Sequence, residues 1–197
     1  MLNFSVFGAP GSGKGTQSLK LSAKYCLKHI STGDLFRKEI VENSLIGQYV
    51  KNFVDQGQLI PDATVLKEVY RTALCHKYAK GYIFDGFPRT LVQAEMMDRL
   101  LEKKKLHLKL VIFIVVDESA LLERLHSRAE DSDRSDDKKE VIVERMKIYK
   151  KMTYPVIDYY QNKGNLIEIS GMHPVEEVFE TICTKIEGII NRDHNLY

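Results

Sequence analysis

The stretch Phe4-Ser5-Val6-Phe7-Gly8-Ala9-Pro10-Gly11-Ser12-Gly13-Lys14-Gly15-Thr16-Gln17 decides how this chain folds. A short apolar run stops at Gly8, and three glycines lead to Lys14 and a helix-permissive sequence. Glycine lets the backbone turn tightly and aim successive N–H groups inward, which suits a polyphosphate. A helix beginning near Lys14 adds the positive end of its dipole to the same place. Lys14 has the reach to hold β- and γ-phosphates, so the stretch reads as strand, P-loop and helix.

Outward from this loop, strands and helices alternate. Apolar runs predict strands at residues 2–7, 27–30, 81–85, 108–116 and 166–169. Helices are expected at 16–25, 35–41, 44–54, 62–78, 91–104 and 118–128, then from 141, at 155–162 and at 174–190. Leu19 and Leu21 are available to pack the first helix inward, while Asp34 and Asp62 read as helix caps. Residues 129–140, Ala-Glu-Asp-Ser-Asp-Arg-Ser-Asp-Asp-Lys-Lys-Glu, lack an apolar pattern and read as an exposed, solvated loop. The polar residues 191–197 read as a disordered tail. This alternation predicts an α/β fold: a five-stranded parallel sheet with helices on both faces.

Composition narrows the class. At 197 residues, 44% hydrophobic and 28% charged, the chain suits one soluble enzyme domain. A net charge of +2 gives no support to nucleic-acid binding. No apolar run approaches the roughly 20 residues of a membrane span. Met1-Leu2-Asn3-Phe4 runs straight into the first strand, so no signal peptide is expected and the chain reads as cytoplasmic. Cys26, Cys75 and Cys183 are far apart and read as buried small apolar side chains in a reducing compartment. The six histidines show no ligand spacing.

Further motifs belong with the loop. In the general P-loop pattern a Ser or Thr follows the lysine, but here Gly15 follows and Thr16 comes one later. The chain also carries Ser-Thr-Gly-Asp at 31–34, Asp-Gly-Phe-Pro-Arg-Thr at 85–90, Gln93, and arginines at 124, 128, 134 and 145. Together these resemble the adenylate kinase family, in its short-lid form, over roughly residues 2–190.

The resemblance implies a P-loop nucleoside-triphosphate-hydrolase-like three-layer fold with strand order 2-3-1-4-5. It also implies a core (1–30, 62–127, 141–190), a monophosphate-binding insertion (31–61), a short lid (128–140) and a tail (191–197). The reaction it implies is reversible phosphoryl transfer from ATP to AMP, by a monomer that binds neither nucleic acid nor membrane. Lys14, Arg89, Arg124, Arg128, Arg134 and Arg145 would be catalytic. Gly11, Ser12, Gly13, Lys14, Gly15, Thr16, Arg124, Arg128 and Met172 would bind ATP. The AMP site would take Thr32, Gly33, Arg37, Gln58, Leu59, Ile60, Gly86, Arg89, Gln93, Arg134 and Arg145. Asp85 and Asp34 would hold Mg²⁺ through its waters, and a lid without cysteine or histidine would need no zinc.

Arginine suits such a site because its planar fork bonds two phosphate oxygens and stays charged. Arg124 and Arg128 stand at i and i+4, on one helix face. As plain helix residues they would be two solvated cations. Kinases acting on UMP or CMP share the loop and short lid, but typically carry Ala and Asn where Thr32 and Thr90 stand. A non-catalytic nucleotide-binding module should have lost Lys14 or some arginines. Asp133 departs from the pattern, since short-lid relatives usually read Ser-Gly-Arg where this chain reads Ser132-Asp133-Arg134.

Overall fold

A computed structural model describes residues 1–131 and 135–194. Five strands form one parallel sheet: β1 (Leu2–Gly8), β2 (Lys28–Ser31), β3 (Gly81–Asp85), β4 (Leu110–Val115) and β5 (Leu166–Ser170). Their order is β2-β3-β1-β4-β5. The central strand β1 thus has β3 on one side and β4 on the other, with Val6 facing Asp85 across one ladder and Ile112 across the other. Chain direction from the middle outward reverses beside β1, and such a switch point opens a crevice at the carboxyl ends of the strands. The P-loop emerges there.

The strands are apolar because both faces are covered. On one face Leu21 and the C-terminal helix residues Val178, Ile182 and Ile186 pack on Phe4, Val6, Ile112 and Ile114. On the other, Phe36, Val65, Val69, Met97, Val156 and Tyr160 pack on Phe7, Phe84, Val111 and Phe113. Full burial of each such side chain is worth about 1.5–3 kcal/mol. Two buried polar residues of β1, Ser5 and Asn3, are satisfied. Ser5 Oγ donates to the Phe87 carbonyl at 2.7 Å, and Asn3 bonds both His107 O and Tyr82 N.

The helices are α1 (Lys14–Tyr25), α2 (Thr32–Val41), α3 (Leu45–Asp55), α4 (Asp62–Cys75), α5 (Leu91–Lys103), α6 (Glu118–Asp131), α7 (Lys139–Ile148), α8 (Tyr154–Asn162) and α9 (Val175–His194). A π-helical turn, Tyr149–Thr153, joins α7 to α8, so Pro155 enters a helix already under way. The wider turn falls where proline supplies no N–H.

Several expectations need correction. Leu19 is 58% exposed whereas Leu21 is fully buried, because only one of them falls on the face of α1 turned to the sheet. Ser31, not Asp34, caps α2: its hydroxyl accepts the Asp34 N–H at 3.2 Å, and the helix starts at Thr32. Asp62 is the first residue of α4, after Pro61, and its side chain is used elsewhere. Cys26 and Cys75 are exposed at helix ends, and only Cys183 is buried. The last helix runs past residue 190 to His194.

The largest revision concerns residues 129–140. Helix α6 continues to Asp131, and Ser135–Asp137 forms a 3₁₀ turn whose Asp136 and Asp137 are buried. Carboxylates can be buried when cations meet them, and a hydropathy pattern does not register that pairing. Asp133 and Arg134 lie outside the described residues.

Candidate active site

The loop after β1 depends on left-handed backbone. Gly11 and Gly13 both have φ +86°, and Gly13 is the N-cap of α1. A Cβ on Gly11 would meet Leu121 O and Leu125 Cγ at 3.0 Å, so packing and conformation both demand glycine. At Gly13 nothing lies within 4 Å, and conformation alone sets the choice. Ser12 turns its side chain away from the cleft, buried against Gly8, so only its backbone is available there.

Two hollows lie side by side near this loop and share arginines. An open cleft of about 1100 Å³ is lined by Gly11, Gly13, Lys14, Gly15 and Thr16, with Asp34 and Asp85, and with Arg124 and Arg128 from α6. A neighbouring pocket is lined by Thr32, Gly33, Gln58, Leu59, Ile60, Gly86 and Gln93. Phe36, Val54, Gly57, Val65 and Asp136 also line it. Arg37, Arg89 and Arg145 line both. Among the described residues, the structure lines these two hollows with every site residue expected from the sequence except Ser12 and Met172. Met172 is half exposed in the loop after β5 and lines neither hollow. Its neighbour Gly171 is nonetheless tied to the site, since its carbonyl accepts from Arg124 Nη2 at 2.9 Å.

Crowded cations set the electrostatics. Burial pulls the half-buried Lys14 ammonium down to about 7; Asp85 opposes this, while Arg89, Arg145 and Arg128 add to it. Lys14 Nζ donates to Ala9 O at 3.2 Å. Burial likewise lowers Arg89 to about 10, with Arg145 reinforcing and Asp85 opposing, and its Nε donates to Gly86 O at 2.7 Å. Arg145 is lowered by burial and by Arg128, against the pull of Asp136 and Asp137. So much converging positive charge on partly buried side chains is a site prepared for an anion.

Carboxylates of the chain itself meet these cations. Asp136 contacts Arg145 at 2.9 Å and Arg37 at 3.9 Å, and Asp137 holds Arg128 and Arg145. Arg37 is also paired with Asp34 at 2.6 Å. Asp136 Oδ1 is buried without a hydrogen-bond partner, which an incoming donor or water would satisfy.

Asp85 ends β3 at the floor of the cleft. Burial pushes its carboxyl up, but the nearby His29 and the charge of Lys14 outweigh this and hold it below the ordinary range. His29 lines the same cleft, 3.6 Å from Asp85, a role the sequence did not signal because no spacing rule links residues on β2 and β3. Asp85, Asp34 and the Thr16 hydroxyl are hard oxygen donors facing one cleft, a set that fits Mg²⁺ carried in with phosphates. Among the described residues no three His, Cys, Asp or Glu gather into a metal cluster.

The arrangement can hold two phosphate chains end to end, with arginines where they meet. A family model described as adenylate kinase matches residues 6–165. A relative named adenylate kinase from Azobacteroides pseudotrichonymphae is 44% identical, across 96% of this chain and 99% of its own. Relatives of the same name from Phocaeicola vulgatus (41%, across 96% of this chain and 100% of its own) and Thermoanaerobacter pseudethanolicus (38%, across 90% and 94%) agree. With its P-loop, strand order and gathered arginines, the chain belongs to the adenylate kinase family.

Proposed function

We propose that the protein transfers the γ-phosphoryl group of ATP to AMP, reversibly, giving two ADP. The observation that carries this reading is that Arg37, Arg89 and Arg145 line both the P-loop cleft and the neighbouring pocket. ATP takes the cleft through the backbone of residues 11–16, with Lys14 on the β/γ-phosphates and Arg124 and Arg128 beside them. AMP takes the pocket, its base near Thr32, Gln93 and residues 58–60 and its phosphate on Arg37 and Arg89.

A phosphate oxygen of AMP attacks the γ-phosphorus, and the bond to the β–γ bridging oxygen breaks, leaving ADP on each side. That oxygen is ionised near neutral pH, its second pKa being about 6, so no general base is needed. Catalysis then rests on positioning and charge. Asp85 and Asp34 would hold Mg²⁺ through its waters, and the ion would supply neutralisation of the phosphate charge. Arg134 would join Arg145 at the transferring group.

Residues 31–61 serve as the monophosphate-binding insertion and 128–140 as the lid, hinged on the core; closure excludes water. The protein works as a cytoplasmic monomer without zinc. Thr32 and Thr90 favour AMP over UMP or CMP. A coupled assay offering ATP with AMP, CMP, UMP or GMP tests the reading: AMP should be the best acceptor by a wide margin, and equal use of CMP would overturn it.

A further inference from the structure

Asp62 lies behind the pocket wall, and the pocket lining does not include it. Its Oδ1 nonetheless accepts two hydrogen bonds from residues at the wall: Gln93 Nε2 at 2.7 Å and Thr90 Oγ1 at 3.0 Å. The Thr90 oxygen in turn accepts the Gln93 N–H at 3.2 Å, so its hydroxyl proton is committed to Asp62. At the other end of the Gln93 amide, Oε1 accepts the backbone N–H of Arg89 at 2.8 Å.

These contacts fix which way round the amide sits. A carboxylate only accepts and a backbone N–H only donates. Were the amide turned over, oxygen would face the Asp62 carboxylate and NH₂ would face the Arg89 N–H, so both bonds would become repulsive. Gln93 is buried, where such unpaired contacts are costly. One N–H of Nε2 and one lone pair of Oε1 stay uncommitted in a fixed order.

We propose that Asp62 is a specificity-determining positioning residue: by locking the Gln93 amide it makes the pocket select a 6-aminopurine monophosphate over a 6-oxopurine monophosphate. An adenine edge offers an acceptor at N1 and donors on N6. A 6-oxopurine of the same shape reverses both, with a donor at N1 and an acceptor at O6. A freely turning amide would pair with either. The locked amide matches one, and sites built around such bonds reject the mismatched partner strongly. The proposal rests on AMP occupying this pocket, and Gln93→Ala separates the two claims.

The test compares kcat/KM for AMP and for inosine monophosphate, which differ only at this edge. Wild type should favour AMP. Asp62→Asn, whose amide can present donor or acceptor to Gln93, should lower the AMP:IMP ratio at least about tenfold; Asp62→Ser is the second variant should the first fold poorly. Gln93→Ala should lower the ratio too, and the double variant should add little further. A purely structural role for Asp62, such as charge at the start of α4, would scale both substrates together and leave the ratio alone. An unchanged ratio in the Asp62 variants beside a lowered one in Gln93→Ala overturns the role of Asp62. An unchanged ratio in Gln93→Ala itself means that the acceptor base sits elsewhere, and the pocket assignment falls with the proposal.

Discussion

Arg128 grips Asp137 with both arms of its fork, Nε to Oδ2 at 2.8 Å and Nη2 to Oδ1 at 2.5 Å, and Asp137 is only 3% exposed. Arg145 adds a contact to the same Oδ1 at 3.1 Å. Two arginines proposed to meet phosphate are thus held in place by a carboxylate of the chain itself. Preformed charge of this kind needs little reorganisation when the substrate binds.

Removing that anchor should therefore cost more without ligand than with it. Asp137→Asn keeps the shape but leaves Arg128 without its carboxylate and Arg145 with that of Asp136 alone. We expect a loss of about 1–3 kcal/mol of stability, below the full value for a buried pair because Arg128 is a third exposed. Saturating ATP should recover much of the loss. Melting curves with and without ATP check this, and an equal loss in both would mean that the pair is purely structural.

Lys14 gives a pH dependence. Its amine titrates near pH 7 in the free protein against 10.5 when unfolded, and bound phosphates would restore the charge. Above pH 7, ATP binding should take up as much as one proton, and affinity should fall as pH rises. The unfolded chain also holds more protons than the folded one between about 7 and 10.5, so this group's contribution to stability rises with pH across that window. Calorimetry in two buffers of different ionisation enthalpy reads the proton directly, and Lys14→Met should abolish the uptake.

Lys14→Met and Arg89→Ala should separate the two sites. The first removes an oriented charge from the transferring group, and about 3–4 kcal/mol of transition-state stabilisation should go with it. The second should weaken AMP binding while ATP binding alone changes little. Titrations with each nucleotide check this; loss of ATP affinity with AMP affinity intact in Arg89→Ala would reverse the site assignment.

Ser135 donates to Asp55 Oδ1 at 2.7 Å, joining the 3₁₀ turn to the end of α3. This contact ties the proposed lid to the proposed insertion, so it belongs to the closed arrangement. Ser135→Ala should weaken a bisubstrate analogue by no more than about 1.5 kcal/mol, the net worth of one exposed hydrogen bond. KM for both nucleotides should rise together. Unchanged analogue affinity would mean that closure does not depend on this link.

The sequence showed most of the machinery because P-loop chemistry constrains neighbours along the chain. Gly11, Gly13 and Lys14 must follow one another at short spacing, and Ser31-Thr32-Gly33-Asp34 and residues 85–90 likewise form compact runs. Misreadings arose wherever a polar side chain had a distant partner. Asp62 reads as a cap from its neighbours, yet it serves Thr90 and Gln93 about thirty positions away. His29 reads as an incidental histidine until β2 pairs with β3 and brings it beside Asp85.

By itself, then, the sequence determined the alternation of strands and helices, the phosphate-binding loop and the residue types of the site. Apolar periodicity, glycine conformation and local spacing are properties of adjacent residues. Only the tertiary structure decided that Asp136 and Asp137 are buried, that arginines from α2, α6 and α7 converge on one junction with Arg89, and that Asp62 fixes an amide in the pocket wall. Burying a charge is favourable only when a partner meets it, and that partner is chosen by how the helices pack on the sheet.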